Sequence, residues 1–176
     1  MKQILIAFKH LKTILIHKYW VAKYCFQLGL YWRGLVHDLS KFHLIEFLES
    51  IKYYTGTSSP INECKKDKGY SLAWQHHKGH NSHHYEYWID HLDIGGEPIK
   101  MPKDDLKELI CDWIGAGKTY MGSDFTFEKE LKYVSNRISN AKIHNRTRDA
   151  IYRIFVLLSE SDLDFNTIVN YVLIYY

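Results

Sequence analysis

The sequence predicts an all-α protein, a single helical domain of about six to eight helices, and three observations carry that reading. Apolar residues recur at spacings of three and four along several stretches, as a helix with one side on a core requires. No stretch alternates apolar and polar residues for long enough to build a sheet, and no internal repeat is visible. Only three prolines interrupt 176 residues, a length that buries one core without covalent staples.

Taken in order, Leu5, Phe8, Leu11 and Leu15 followed by Ala22 form the stripe of an amphipathic helix that reaches Leu28 and stops at Gly29. His17, Trp20 and Tyr24 share one face of it, at i, i+3 and i+7. A second helix is predicted from Tyr31 to about Ser40, and a third from Ile45 to Tyr54, closed by the turn-rich run Thr55 to Pro60. From there to Gly69 the polar, charged chain reads as an exposed loop, and Asp93 to Pro102, with two glycines and two prolines, as a connector. Leu106, Leu109, Ile110, Trp113 and Ile114 restore a helical stripe, with Gly115 and Gly117 marking its end. Further helices are predicted near 126–140, 146–160 and 164–174, with Ser161 and Asp164 as a capping-box variant ahead of the last.

Composition narrows the function. Aromatics make up 15% of the chain, including fourteen tyrosines and five tryptophans, which supply buried area and polar tips for a cleft. The net charge of +3 suits an anionic substrate and falls far short of the basic stripe of a dedicated nucleic-acid binder. Lys65, Lys66 and Lys68 are interrupted by Glu63 and Asp67 and read as a solvated face. Cysteines 25, 64 and 111 are odd in number and widely spaced, which argues for free buried thiols in a cytoplasmic protein. The apolar run at the N-terminus and the one from Ile168 to Tyr176 are each too short to span a bilayer, so no membrane partner is expected.

Histidine is the informative residue. Of eleven, five fall within His76, His77, His80, His83 and His84, and neutral imidazole is the commonest side-chain ligand of transition metals. A surface or satisfied core position is the ordinary fate of one histidine, and so dense a run strains it. Leu35-Val36-His37-Asp38-Leu39-Ser40-Lys41 then puts a His-Asp pair at the end of an apolar helix, where two adjacent residues can face one ion. Lys41, one turn after His37, places an ammonium where an anionic oxygen would sit. Asp112 flanks the stripe of Leu109, Ile110 and Trp113, and a carboxylate there is costly unless paired, hydrogen-bonded or metal-bound.

The order His17, His37-Asp38, the 76–84 histidines and Asp112 resembles the HD-domain superfamily of metal-dependent phosphohydrolases. The resemblance covers about residues 10–120, with 124–176 as packing helices of the same domain. It is closest to an uncharacterised bacterial and phage family of that type with a His-Asp-Leu-Ser-Lys segment. It implies that His17, His37, Asp38 and Asp112 hold one divalent metal and that Asp38 bridges to a second. The second ion would be held by His77 and His84, two helical turns apart, or by His76 and His83, equally spaced. Manganese, iron, cobalt, nickel and zinc all accept such ligands. Lys41, Arg33 and Asn81 would then position a phosphoryl group, with Glu86 and Glu108 orienting histidines. The implied activity is hydrolysis of a nucleotide or other small phosphate ester by a protein free to form homo-oligomers. An HD-type di-iron oxygenase, or a non-catalytic module binding a ligand or a protein around a structural metal, uses the same residues.

Overall fold

The apolar stripes fold into helices throughout the computed structural model, which describes residues 2–90 and 95–176. The described residues form nine α-helices: α1 (Lys2–Gln27), α2 (Tyr31–Val36), α3 (Leu44–Tyr53), α4 (Pro60–Lys68), α5 (Leu72–His80), α6 (Lys103–Met121), α7 (Phe127–Ser139), α8 (Asn145–Glu160) and α9 (Phe165–Ile174). The one β-type pairing among them is an isolated antiparallel bridge between Ile89 and Pro98. Residues 95–102 of the expected connector carry no helix, while 93 and 94 lie outside the described residues. Among the described residues no helix is long and apolar enough to cross a membrane.

Helix α4 falls in the segment 60–69, expected as a loop. Pro60 occupies its first turn, where a fixed φ and a missing N–H do no harm. Gly69 closes it in the left-handed region at φ 80°, donating its N–H to the Lys65 carbonyl at 2.8 Å. Pro60 and Cys64 are buried, so polar composition hid a helix that needs only one turn-spaced apolar edge.

Helix α6 is the axis of the molecule. Leu106, Leu109, Ile110 and Ile114 are fully buried, as are Ile151, Ile154 and Phe155 of α8 and Ile168 and Val169 of α9. On its other side α6 meets α1, and the face α1 turns inward is His10, Ile14, His17, Val21, Cys25 and Leu28. The expected stripe lies elsewhere: Leu5, Phe8 and Leu15 are 56%, 64% and 54% exposed. Helix α1 is apolar on two sides, and periodicity alone cannot say which side meets the core. All three cysteines are buried and free, as expected.

Close approach between α6 and α1 decides that choice. A Cβ at Gly115 would lie 2.6 Å from Val21 Cγ2 and 3.3 Å from the Val21 nitrogen, so only glycine fits. Gly117 likewise leaves room for Glu130 and Phe125. These glycines do not end the helix, which continues to Met121; they are the points where neighbours touch its backbone. Gly115→Ala is therefore expected to destabilise the protein by about 1–3 kcal/mol, as overpacking does, read as a lower midpoint in urea. At the last helix, too, the structure corrects a detail: Asp164, not Ser161, is the cap, accepting from the Thr167 N–H at 3.0 Å.

Candidate metal centre

The site begins with a break in the chain. Helix α2 ends at Val36 rather than near Ser40, because His37 leaves helical geometry and Asp38 sits at φ 54°, ψ 31°. Among the described residues Asp38 is the one non-glycine residue with positive φ, a conformation that aspartate and asparagine tolerate best. A short 3-10 helix, Leu39–Phe42, follows and brings Lys41 back over Asp38. The break lets two adjacent side chains point to one place, which a continuous helix forbids. Lys18, from α1, donates to the carbonyls of Leu35 and His37 and so ties the broken end to α1.

Four donors from three segments converge there. His17 Nε2 lies 3.1 Å from Asp112 Oδ1 and 3.5 Å from Asp38 Oδ2. His37 Nε2 lies 3.3 Å from Asp38 Oδ2, 3.5 Å from Asp112 Oδ1 and 3.4 Å from His17 Nε2. Gly115, one turn beyond Asp112, allows α6 to come close enough to α1 for this. A second set forms on the other oxygen of the same aspartate: His77 Nε2 at 3.3 Å and His83 Nε2 at 3.4 Å from Asp38 Oδ1, with His84 beside them. The donor atoms of each set lie within 4.8 Å of one another, and every one of these residues is buried.

The donor chemistry fits a cation. A carboxylate can only accept, so the ring nitrogen facing one carries the proton. Glu108 Oε1 faces His37 Nδ1 at 2.9 Å and His83 Nδ1 at 3.3 Å, and Glu46 Oε2 faces His77 Nδ1 at 2.8 Å. With only that proton, each ring turns the lone pair of its Nε2 inward, toward carboxylate oxygens that also carry lone pairs. Both Asp38 oxygens, His83 Nε2 and both nitrogens of His84 are buried and take part in no hydrogen bond. Buried acceptors facing acceptors are unfavourable unless a positive charge lies between them.

Without a bound cation, protonated histidines and Lys41 supply the positive charge the carboxylates call for. Burial works against an ionised Asp38, yet His37, Lys41 and His77 outweigh it and hold its carboxyl well below the usual range. Asp112 is held well below by hydrogen bonds from His17 and His37, again in spite of burial. Burial opposes a charged His37, but Asp38 and Asp112 raise its pKa well above the ordinary value. His84 is pressed well below by burial and then by His83 and His77, so it stays a neutral imidazole. Lys41 Nζ sits 2.6 Å from Asp38 Oδ2 as an ion pair off the hydrogen-bonding direction, with the side chain 26% exposed at the mouth of the site. Burial disfavours its ammonium, but Asp38 and Asp112 keep its pKa raised.

Of the residues expected from sequence, His17, His37, Asp38, His77, His83, His84 and Asp112 meet at the centre, with Lys41 above them. Three do other work. His76 belongs to neither set; its Nδ1 donates to Glu46 Oε1 at 2.7 Å and its ring faces away. Seven-residue spacing does not place these histidines on one helix face, because α5 ends at His80 and a turn, not a helix, delivers His83 and His84. Arg33 Nη1 is held by Asp105 Oδ1 and Glu108 Oε2, both at 2.9 Å, so it braces Glu108 behind His37. Asn81 Nδ2 donates to Ser40 Oγ at 2.8 Å and to the His77 carbonyl at 2.7 Å, pinning the end of α5 to the 3-10 helix. Glu86 lies 3.6 Å from Arg137 Nη2, away from the centre. Glu108, in contrast, does orient histidines.

Sequence reasoning missed Glu46 and His10. The signal for Glu46 was an acid in the otherwise apolar run Leu44 to Leu48; it is 3% exposed. His10 lies seven residues before His17 on the inward face of α1 and packs on Phe47 and Tyr54, with ring centroids at 5.5 and 5.3 Å. Burial and then the nearby Lys41 lower its pKa to about 4, so it borders the mouth as a neutral ring.

A family model described as a family of unknown function, DUF5662, matches residues 7–157. No curated protein and no solved structure matches the chain.

Proposed function

The chain belongs to the DUF5662 family, whose description assigns no activity, and from the geometry of the centre we propose that it is an HD-type, metal-dependent phosphohydrolase acting on a nucleotide or other small phosphate ester. The observation that carries the proposal is Asp38. It is a buried carboxylate with His17 and His37 on one oxygen and His77 and His83 on the other, the arrangement of a ligand that bridges two ions. Divalent transition ions bound there supply a Lewis acid that lowers the pKa of water and polarises a phosphoryl oxygen.

The chain's own residues do the rest. His17, His37 and Asp112 hold one side and His77, His83 and His84 the other, while Glu108 and Glu46 fix the tautomers that present Nε2 inward. Lys41, partly exposed and charged, is the group an entering anion meets first, and it offsets negative charge that develops on the phosphoryl group. Burial of the ligands keeps bulk water from screening these charges.

The test is phosphate release from a panel of nucleotides and small phosphate esters by protein reconstituted with manganese, iron, cobalt, nickel or zinc. Activity that depends on added metal and falls on Lys41→Ala is expected. Copurifying iron with substrate-dependent oxygen uptake would replace the hydrolase by a di-iron oxygenase. Tight metal binding with no turnover of any kind would leave a binding module.

A further inference from the structure

His76 and His80 are left over by the buried centre, and their geometry points to a use. They are four residues apart on α5, so they share one face of that helix. Their rings stack face to face, with centroids 4.1 Å apart and an interplanar angle of 18°. His43, at the start of α3, stacks on the other side of His76 at 4.3 Å and 17°. Stacking on both sides holds the His76 ring, and the exposed His80 ring is the one that turns out of the stack for both Nε2 lone pairs to meet one ion.

The tautomers follow from the partners. His76 Nδ1 faces a carboxylate oxygen of Glu46 at 2.7 Å, and His80 Nδ1 faces the His76 carbonyl at 2.8 Å. Both partners can only accept, so both rings carry their proton on Nδ1 and leave the Nε2 lone pair free. Among the described residues neither Nε2 has a hydrogen-bond partner, His80 is exposed and His76 is half-buried. Glu46 also orients His77, so one carboxylate braces a histidine of the buried centre and a histidine outside it.

We infer that His76 and His80 form a separate outer metal site, a two-imidazole chelate for a borderline divalent ion such as nickel, copper or zinc. Imidazole pairs select these ions over calcium and magnesium, which prefer oxygen. Water completes the coordination, so the outer ion exchanges freely, unlike one enclosed at Asp38. The inference is independent of the reaction at the buried centre.

Nickel titration of the full chain, followed by equilibrium dialysis and by NMR of the histidine ring protons, tests it. One exchangeable nickel per chain is expected that broadens the His80 and His76 ring signals. His80→Ala and, separately, His76→Ala should each weaken that ion by about tenfold or more, because the second ligand acts intramolecularly. His80→Ala should leave any tightly held ions unchanged. Ring signals of His80 unbroadened at saturating nickel, or a His80→Ala protein that binds this ion as the parent does, would overturn the site. If the buried centre proves to take no metal, the outer ion is still expected, which keeps the two results distinguishable.

Discussion

Replacing Asp38 by asparagine is expected to remove metal binding at the buried centre while leaving the fold intact. Asparagine is isosteric and tolerates the left-handed conformation at φ 54° as well as aspartate does, so the backbone loses nothing. The charge that His17, His37, His77, His83 and Lys41 surround is lost, and an amide N–H₂ group can occupy the ring lone pairs that would otherwise face a cation. Outer partners of metal ligands already cost 10–100-fold in affinity or activity when removed, so loss of the carboxylate proposed to hold the metal should cost at least about 10²-fold. Metal content of Asp38→Asn protein, measured beside its circular dichroism and phosphate release, checks this. A folded variant that still holds two ions would exclude Asp38 as the bridge.

Glu130→Gln is expected to stabilise the protein at alkaline pH and to do little in acid. Glu130 is 1% exposed, its Oε2 has no hydrogen-bond partner, and it lies in the space left by Gly117 beside Phe125. Burial, and then the charge of Asp112, raise its pKa from 4.5 to about 7. In that window the folded chain keeps a proton that the unfolded chain has released, so stability falls as pH rises from 4.5 towards 7. Each pKa unit corresponds to 1.36 kcal/mol, so the full loss is about 3 kcal/mol. Glutamine mimics the protonated acid at every pH. The variant and parent should therefore have matching urea stabilities near pH 4 and differ by about 3 kcal/mol at pH 8. Parallel curves across the range would show that Glu130 is ionised at no cost, against the burial argument. Shared titrations at the histidine centre cancel in the difference between the two proteins.

The residues of the candidate centre were legible from residue type and order: His17, the His37-Asp38 pair, Asp112, and a run of histidines too dense to be ordinary. Their assignment within that run was not. His76 and His83 looked equivalent to His77 and His84 by spacing, and the chain separates them only where α5 stops at His80 and turns. Arg33 and Asn81 were likewise recognisable as useful polar groups. Whether they meet substrate or brace the site depended on Glu108, Asp105 and Ser40, which are distant in sequence.

The helical class, the three C-terminal helices and the ligand types were set by local chemistry, because period, caps and residue type act within a few positions of one another. The sides that helices present to the core, and the groups that orient the ligands, were decided only in three dimensions. Helix α1 has apolar residues on both sides, and the bare backbone at Gly115 selects the side that carries His17. Glu46 and Glu108 acquire their roles only when α3 and α6 carry them to the histidines. Such pairings are properties of the packed helices, and no local pattern encodes them.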